Sequence, residues 1–519
     1  MGCRFISMIT CKNVFCISVL LQLPSTSLVL AACAACIGGT FQYGYNVSVI
    51  NAPTTYVQNF INQTWSDRYQ TDISANVLTL LWSSIVSIFT IGGLIGVTVG
   101  STLKGTLLVN NIFALMAALL MGLSYPTGLF ELLVIGRLLT GMNAGIGLCV
   151  QPLYLGEIAP TAFRGAMGMG TSISITFGIL TGQVIGLKEL LGKEEYWPFL
   201  LSTTCIPAIL QLLILPWFPE SPRYLLIDKG DYAGCKKALK QLHGPAGCDG
   251  ELEDIEKEKN NLVDMQAKKP WELFTDRSFR WQLFTVILLN TAQQLNGINA
   301  IYFYADYLFK QSGIPTDKIP YVTIGTGACE CLTALTCGML IDRLGRKVLI
   351  TGGYTLMSIC CILFTLTLSF QNASPVIPYL SIACVFAFIL SFGLGPGGVT
   401  NILTTELFTQ TTRPAAYMIS GSLNWLSFFF ISLVFPFIVL GLQQYCFLVF
   451  LAVCSLMAIY IVIVIPETKD KTFVEIQNEF QSSNNRKVCN DEGPTHLLTS
   501  ITRSIDTYPS EVKELIRIF

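Results

Sequence analysis

The chain has 519 residues, of which 52% are hydrophobic and only 13% charged, against about 25% charged residues in a soluble globular protein. A formal net charge of −1 leaves no concentrated basic surface for a nucleic-acid partner, and two histidines, His243 and His496, leave little for histidine-based catalysis or a histidine-rich metal site. These numbers describe an integral membrane protein.

Residues 1–25 hold a short apolar run, "VFCISVLLQL", without a small-residue cleavage site, and are expected to be an uncleaved cytoplasmic extension. A bilayer core needs about 20 mostly apolar residues per helix. Segments that meet this lie near 26–50, 76–103, 106–124, 129–152, 165–190 and 198–217. They resume near 282–310, 320–340, 347–369, 376–405, 414–441 and 444–465. The expectation is an all-α membrane protein with about twelve helices. A six-helix bundle over 26–218 is followed by a helical linker over 219–281, a second bundle over 282–466 and a tail over 467–519. Cys33-x-x-Cys36 has the spacing of a redox or metal motif but sits in "LVLAACAACIGG", where cysteine serves as a small apolar residue.

Lysine and arginine set the orientation. The 219–281 segment carries eleven of them, and Arg164, Arg343, Arg346, Lys347 and Arg413 fall in loops on the same side. That side, with both termini, is expected to be cytoplasmic. Asn62-Gln-Thr64 then lies outside, in the longest external loop, as a glycosylation sequon. Asn372-Ala-Ser374 is also external but is followed by Pro375.

The two halves repeat one another. Glu157 precedes Arg164 by seven residues in "GEIAPTAFRG", and Glu406 precedes Arg413 by seven in "TELFTQTTRP", 249 residues further on. "PES" at Pro219 returns as "PET" at Pro466, 247 residues later. Parallel repeats of this kind are a transporter architecture. One element breaks the symmetry. The loop between helices 8 and 9 reads "IDRLGRKVLI", whereas its counterpart reads "GSTLKGTLLV"; Lys104 and Lys347 are 243 residues apart, so the first copy is about six residues short.

Carboxylate–guanidinium pairs at cytoplasmic helix ends form charge-assisted bonds that can latch two bundles and release them. The gating candidates are Arg137, Glu157, Arg164, Glu220, Arg223, Asp342, Arg343, Arg346, Glu406, Arg413 and Glu467. Singly, each is an ordinary interfacial charge. The fixed repeat offset makes the set a candidate latch.

Within helix 7, "QQLNGINAIYFYAD" places Gln293, Gln294, Asn296 and Asn299 in an apolar segment. Buried without partners, each amide would cost about 2–7 kcal/mol. Carboxamides both donate and accept, as sugar hydroxyls do, without a charge to desolvate. On a straight helix Gln294 and Asn299 splay away from the face of Gln293 and Asn296, so convergence requires a bend near Gly297. Tyr302 and Tyr304 could then cover the pocket. The competing reading is interhelical amide glue.

The motifs "GRLLTG", "PESPRYLL", "DRLGRK", "QQLNGINAIYFYA", "RPAA" and "PETK" resemble those of the facilitative hexose transporters of the major facilitator superfamily, over about residues 26–480. The chain is most similar to the fructose-transporting second class. It has Gln294-Leu295-Asn296 where the glucose-selective class carries Gln-Leu-Ser, and "GPGGVTN" ends in Asn401 where that class has tryptophan. The resemblance implies a twelve-helix fold in two pseudo-symmetric halves and a monomer in the plasma membrane without a cofactor. It implies a sugar site between the halves, formed by Gln183 on helix 5, Gln293, Gln294 and Asn299 on helix 7, Asn401 on helix 10 and Asn424 on helix 11. Glu330 occupies a helix 8 position where many relatives carry a sugar-contacting asparagine.

Proton-coupled relatives place an aspartate in helix 1. Here that helix has no acid, which implies passive uniport of hexoses, fructose favoured and glucose possible. Two alternatives stay open: proton-coupled symport through Glu330, an intramembrane carboxylate, and a sugar receptor that binds without transporting. No nucleophile–base pair, phosphate loop or metal cluster supports an enzyme.

Overall fold

The structure is a computed structural model. It describes residues 25–99, 104–160, 164–244, 248–262, 270–276, 279–370, 374–408, 412–469, 471, 475–476 and 479–480. The amino-terminal extension, the shortened 100–103 loop, Asn372 and most of the tail therefore lie outside the described residues.

Nine helices among the described residues are long and apolar enough to cross a membrane: Thr26–Ser48, Ala75–Thr98, Gly105–Thr127, Glu131–Ile158, Trp197–Trp217, Arg346–Ser369, Ile377–Leu407, Arg413–Val439 and Cys446–Val464. Three further helical segments complete the set of twelve, Arg164–Ile185, the pair Arg280–Leu295 and Ile298–Gln311, and Ile319–Leu344. The order follows the sequence expectation, with shifts that have local causes. The fourth span passes through Pro152 and carries Glu157 into its last turn. The fifth ends at Ile185, because the chain then turns sharply, with Gly192 N bonded to Leu187 O at 2.8 Å.

Several spans are deliberately irregular. The first breaks at Gly39, and the Thr40 N–H released there is taken up by Gln151 Oε1 of the fourth span at 3.0 Å. Irregular backbone inside a bilayer requires such a substitute acceptor. The tenth contains a π-helical turn, Gly393–Gly397, around Pro396. The Pro396 carbonyl accepts from Thr400 Oγ1 at 2.7 Å and also from Gln293, described below.

Two segments between spans fold in their own right. Residues Thr54–Tyr69, expected as an external loop, form a sixteen-residue helix. Arg68 clamps it to the start of the fourth span through Glu131, at 2.5 Å, and the Gly128 carbonyl. The linker folds into Pro222–Ile227, Tyr232–His243, Cys248–Leu262 and Pro270–Thr275, the first three around a small core of Leu226, Cys235, Leu239, Cys248, Leu252 and Ile255. It docks on the first half: His243 Nε2 lies 2.8 Å from Ile158 O, and Ser25 Oγ donates to Leu242 O.

The halves meet along the second and eleventh spans and along the fifth and eighth. The Trp425 ring lies over Gly93, where a Cβ would approach it to 2.3 Å, so only glycine admits the indole. Tyr43 meets the same ring edge-on at 5.8 Å.

Candidate functional site

The seventh span breaks at Gly297, at φ +101°, a conformation that disfavours side chains. Asn296 Oδ1 accepts from Ile298 N at 3.0 Å and so caps the second half of the span. The required bend is therefore built by the Asn-Gly pair itself. Asn296 acts as a backbone cap, and the Phe450 ring fills the place where a Cβ at Gly297 would go, 2.6 Å away.

Around that break the amides form one continuous relay. Asn299 Nδ2 donates to Gln294 Oε1. Gln294 Nε2 donates to Asn424 Oδ1 at 3.0 Å, Asn424 Nδ2 to Gln293 Oε1 at 3.4 Å, and Gln293 Nε2 to Pro396 O at 3.2 Å. Three spans, the seventh, tenth and eleventh, are thus joined by four carboxamides in series. The amides satisfy one another, so glue and polyol site use the same groups. A ligand hydroxyl inserted between any two would replace one bond by two.

Across the interface Gln183 is half-buried, with Nε2 3.4 Å from Thr326 Oγ1, and its Oε1 has no partner. One turn along from Thr326, Glu330 is buried beside the Tyr302 hydroxyl, and the two side chains are each other's polar neighbours. Buried polar groups in native proteins are nearly all paired. The orphan Gln183 Oε1 therefore marks a place where a ligand hydroxyl or water can supply a bond. Asn401 is not joined to the relay; its side chain is exposed, and its carbonyl accepts from Tyr417 at 3.1 Å. The Tyr304 side chain lies outside the described residues.

At the end that carries Asn62, side chains join the halves directly. Asn51 Nδ2 donates to Tyr302 O, and Tyr321 donates its hydroxyl to Glu189 Oε1 at 2.9 Å. Neither pair has a sequence signature, because each links residues more than a hundred positions apart. Asn62 itself is exposed, while Thr64 of the sequon is turned inward.

At the basic end the second-half charges assemble within that half. Arg346 contacts Glu406 through Nε at 3.1 Å and Nη2 at 3.0 Å. Glu467 caps the ninth span, accepting from Arg346 N at 2.9 Å and Lys347 N at 3.1 Å. Arg413 donates to the carbonyls of Thr405 and Phe408 at the end of the tenth span, and Lys469 donates to Arg343 O. These bonds brace helix ends of one half. Glu157, Glu220 and Arg223 lie half-buried at the same end. The side chains of Arg164 and Asp342 are outside the described residues. Arg137 departs from expectation: it sits near the opposite end of the fourth span from Glu157, buried, with its Cζ 4.6 Å from the Phe89 ring centroid. Twenty residues of helix, about 30 Å, separate it from the basic end, so it is no part of that network.

Residues 31–480 match the family model described as "Sugar (and other) transporter". The chain belongs to the sugar transporter family. Among relatives, it is 46% identical over 485 residues to solute carrier family 2, facilitated glucose transporter member 11 of Homo sapiens, covering 92% of this chain and 97% of that one. It is 48% identical over 466 residues to member 9 of Mus musculus, covering 89% and 87%. The fold matches the proton:xylose symporter XylE bound to 6-bromo-6-deoxy-D-glucose, with TM-score 0.71 and 21% identity over 88% of this chain and 100% of that one. It also matches XylE from E. coli in a partially occluded inward-open conformation, at TM-score 0.71 and 22% identity, covering 86% and 100%. This sugar transporter is thus an all-α protein of the major facilitator fold and not an enzyme.

Proposed function

We propose that this protein equilibrates hexoses across the plasma membrane by facilitated diffusion, with fructose favoured, working as a monomer by alternating access with both termini cytoplasmic. The observation that carries the reading is the carboxamide relay at the broken seventh span, together with the unpartnered Gln183 Oε1 at the interface between the halves. A neutral amide site binds polyols without desolvating a charge and lets them leave, as turnover requires. Alternation follows from which contacts are bundle-internal. The Arg346–Glu406 pair and the Glu467 cap keep the second half rigid, while Asn51–Tyr302 and Glu189–Tyr321 must break for the Asn62 end to open. The relay belongs to the second half and Gln183 to the first, so rocking changes their separation and hence the affinity.

The test is uptake of fructose and glucose by proteoliposomes containing the purified chain, with and without an imposed proton gradient. Gradient-independent equilibration lost in Gln183→Ala supports uniport. One observation favours a second reading: a carboxyl, Glu330, is buried within the eighth span beside Tyr302. Proton-coupled symport through that carboxyl predicts acceleration by an inward proton gradient, abolished in Glu330→Gln. Sugar binding with no uptake at all would sink both readings in favour of a receptor.

A further inference from the structure

Arg137 carries a permanent charge that nothing in the transport cycle above uses. Its residue is 1% exposed, and a guanidinium stays protonated in a protein. Nη1 donates to the Asn46 carbonyl at 2.9 Å, and the π face of Phe89 covers the plane with a centroid distance of 4.6 Å. Both contacts are favourable, but both are to neutral groups. Among the described residues no carboxylate lies within ion-pair distance of it.

The two nitrogens left over are Nε and Nη2, both buried and both without an acceptor. They are the pair on one edge of the guanidinium, the edge that binds an anion side-on through two parallel N–H groups. A second unsatisfied group lies close. Gln42 is one helical turn from Asn46, on the same face of the first span; it is fully buried, and neither its Oε1 nor its Nε2 has a partner. A buried unpaired charge is among the costliest arrangements a fold can hold, whereas a bound anion neutralises it and takes up both donors.

We propose that this fork is a binding site for one small monovalent anion, of halide or formate size, held inside the first half by Arg137. The unpartnered Gln42 carboxamide, one turn from Asn46 along the first span, is the candidate second donor. The site is separate from the carboxamide relay. Among the described residues no hydrogen bond joins Arg137 or Gln42 to it, and Phe89, which packs on Arg137, also meets Tyr43 at 6.3 Å and Trp425 at 6.0 Å. The anion is therefore a structural counter-ion of the first half and does not compete with a neutral sugar. Its size limit follows from the packing: Arg137, Asn46, Phe89 and Gln42 are all essentially inaccessible.

The test uses the full-length protein in detergent at fixed ionic strength, exchanged into sodium gluconate, whose anion is too large for the fork. Chloride or formate titrated in at the expense of gluconate should raise Tm saturably by about 3 °C or more, as a ligand specific to the native state does. Radiolabelled chloride should bind with a stoichiometry of one. Arg137→Gln should abolish both responses, and Arg137→Lys, which keeps the charge but not the fork, should lose the formate response before the chloride response. If Arg137→Gln does not fold, the wild-type binding isotherm decides alone. Absence of saturable chloride binding, a Tm that ignores the gluconate-for-chloride exchange, or an undiminished response in a folded Arg137→Gln protein would each overturn the site and leave buried water as the partner.

Discussion

Asn424 is the position at which the two readings of the amides part. Its side chain stands in the middle of the relay, accepting from Gln294 and donating to Gln293. Asn424→Ala removes both bonds and leaves Gln294 Nε2 and Gln293 Oε1 without partners in side chains only 9% and 8% exposed. Interhelical hydrogen bonds in membranes are worth about 0.6 kcal/mol on average and up to about 1.7 kcal/mol. Two of them put the stability loss at about 1–3 kcal/mol. A sugar that exchanges its hydroxyls into the relay loses a comparable sum, which is about 10- to 100-fold in affinity.

A control of equal chemistry is available in the other half. Asn110 and Asn143 are buried and donate reciprocally to each other's carbonyls at 2.9 and 3.1 Å, between the third and fourth spans. Asn143→Ala removes one of these bonds, the one to the Asn110 carbonyl, and should lower Tm by about half as much while leaving sugar affinity unchanged. The assay pairs thermal unfolding with fructose binding by equilibrium counterflow for the two variants. Asn424→Ala should fall in both measurements and Asn143→Ala in the first alone. If Asn424→Ala loses only Tm, the relay is glue, and the site argued from it is wrong.

Gly297→Ala should cost about 1–3 kcal/mol from the left-handed conformation alone, with the clash against Phe450 added, and should depress kcat more than KM, read from initial uptake rates. Glu189 is held below the ordinary carboxylate range, first by a backbone N–H within its own loop and then by the Tyr321 hydroxyl. A lowered value means that the contact's contribution is present above the normal carboxylate range and is lost as pH falls through the lowered one. Uptake should accordingly be flat in external pH from about 6 to 8, while Glu189→Gln should shift the protein toward the form open at that end, read by accessibility of a cysteine placed at Ala52; a steep external pH dependence abolished in Glu189→Gln would contradict this. Asn62→Gln should remove one N-glycan, seen as a loss of the glycosidase-sensitive mobility shift, with uptake retained.

The spans were legible because a bilayer writes them as apolar length, and the repeat was legible because charges recur at a fixed offset. The bend in the seventh span was legible for a different reason: Asn-Gly is a turn signal even inside a greasy segment. What that reasoning missed is the division of labour within the stretch. Asn296 was one of four amides in that stretch with no role of its own, and its oxygen is consumed by the Ile298 N–H. The roles of the charged residues were hidden in the same way. Glu467 looked like an arginine partner, but its strongest acceptor contacts include two backbone N–H groups at the start of a helix, and backbone donors have no letter in the sequence. Arg137 was misplaced because a "GR" motif does not say which end of its helix faces which loop. The helix over Thr54–Tyr69 went unread because the stretch is too polar for a span, although the residues it buries, Val57, Phe60, Ile61 and Thr64, lie at i, i+3, i+4 and i+7.

The relay also bears on how binding could be coupled to movement. Its four amides come from spans seven and eleven and end on a carbonyl of the tenth that the π turn exposes. Withdrawing one amide toward a ligand therefore loosens bonds on two neighbouring spans at once, next to the Gly297 break that permits the outer half of span seven to swing. That outer half carries Tyr302, whose carbonyl is bridged by Asn51 from the first span. A sugar that engages Asn299 pulls on the segment Ile298–Gln311 from inside, while Asn51 holds it from outside. The affinity difference between the two end states must then be small, because a uniporter that bound one state thousands of times more tightly would shift its population and stall. Neutral amides, each worth a kilocalorie or so, are suited to that limit in a way that a charged clamp at the same place would not be.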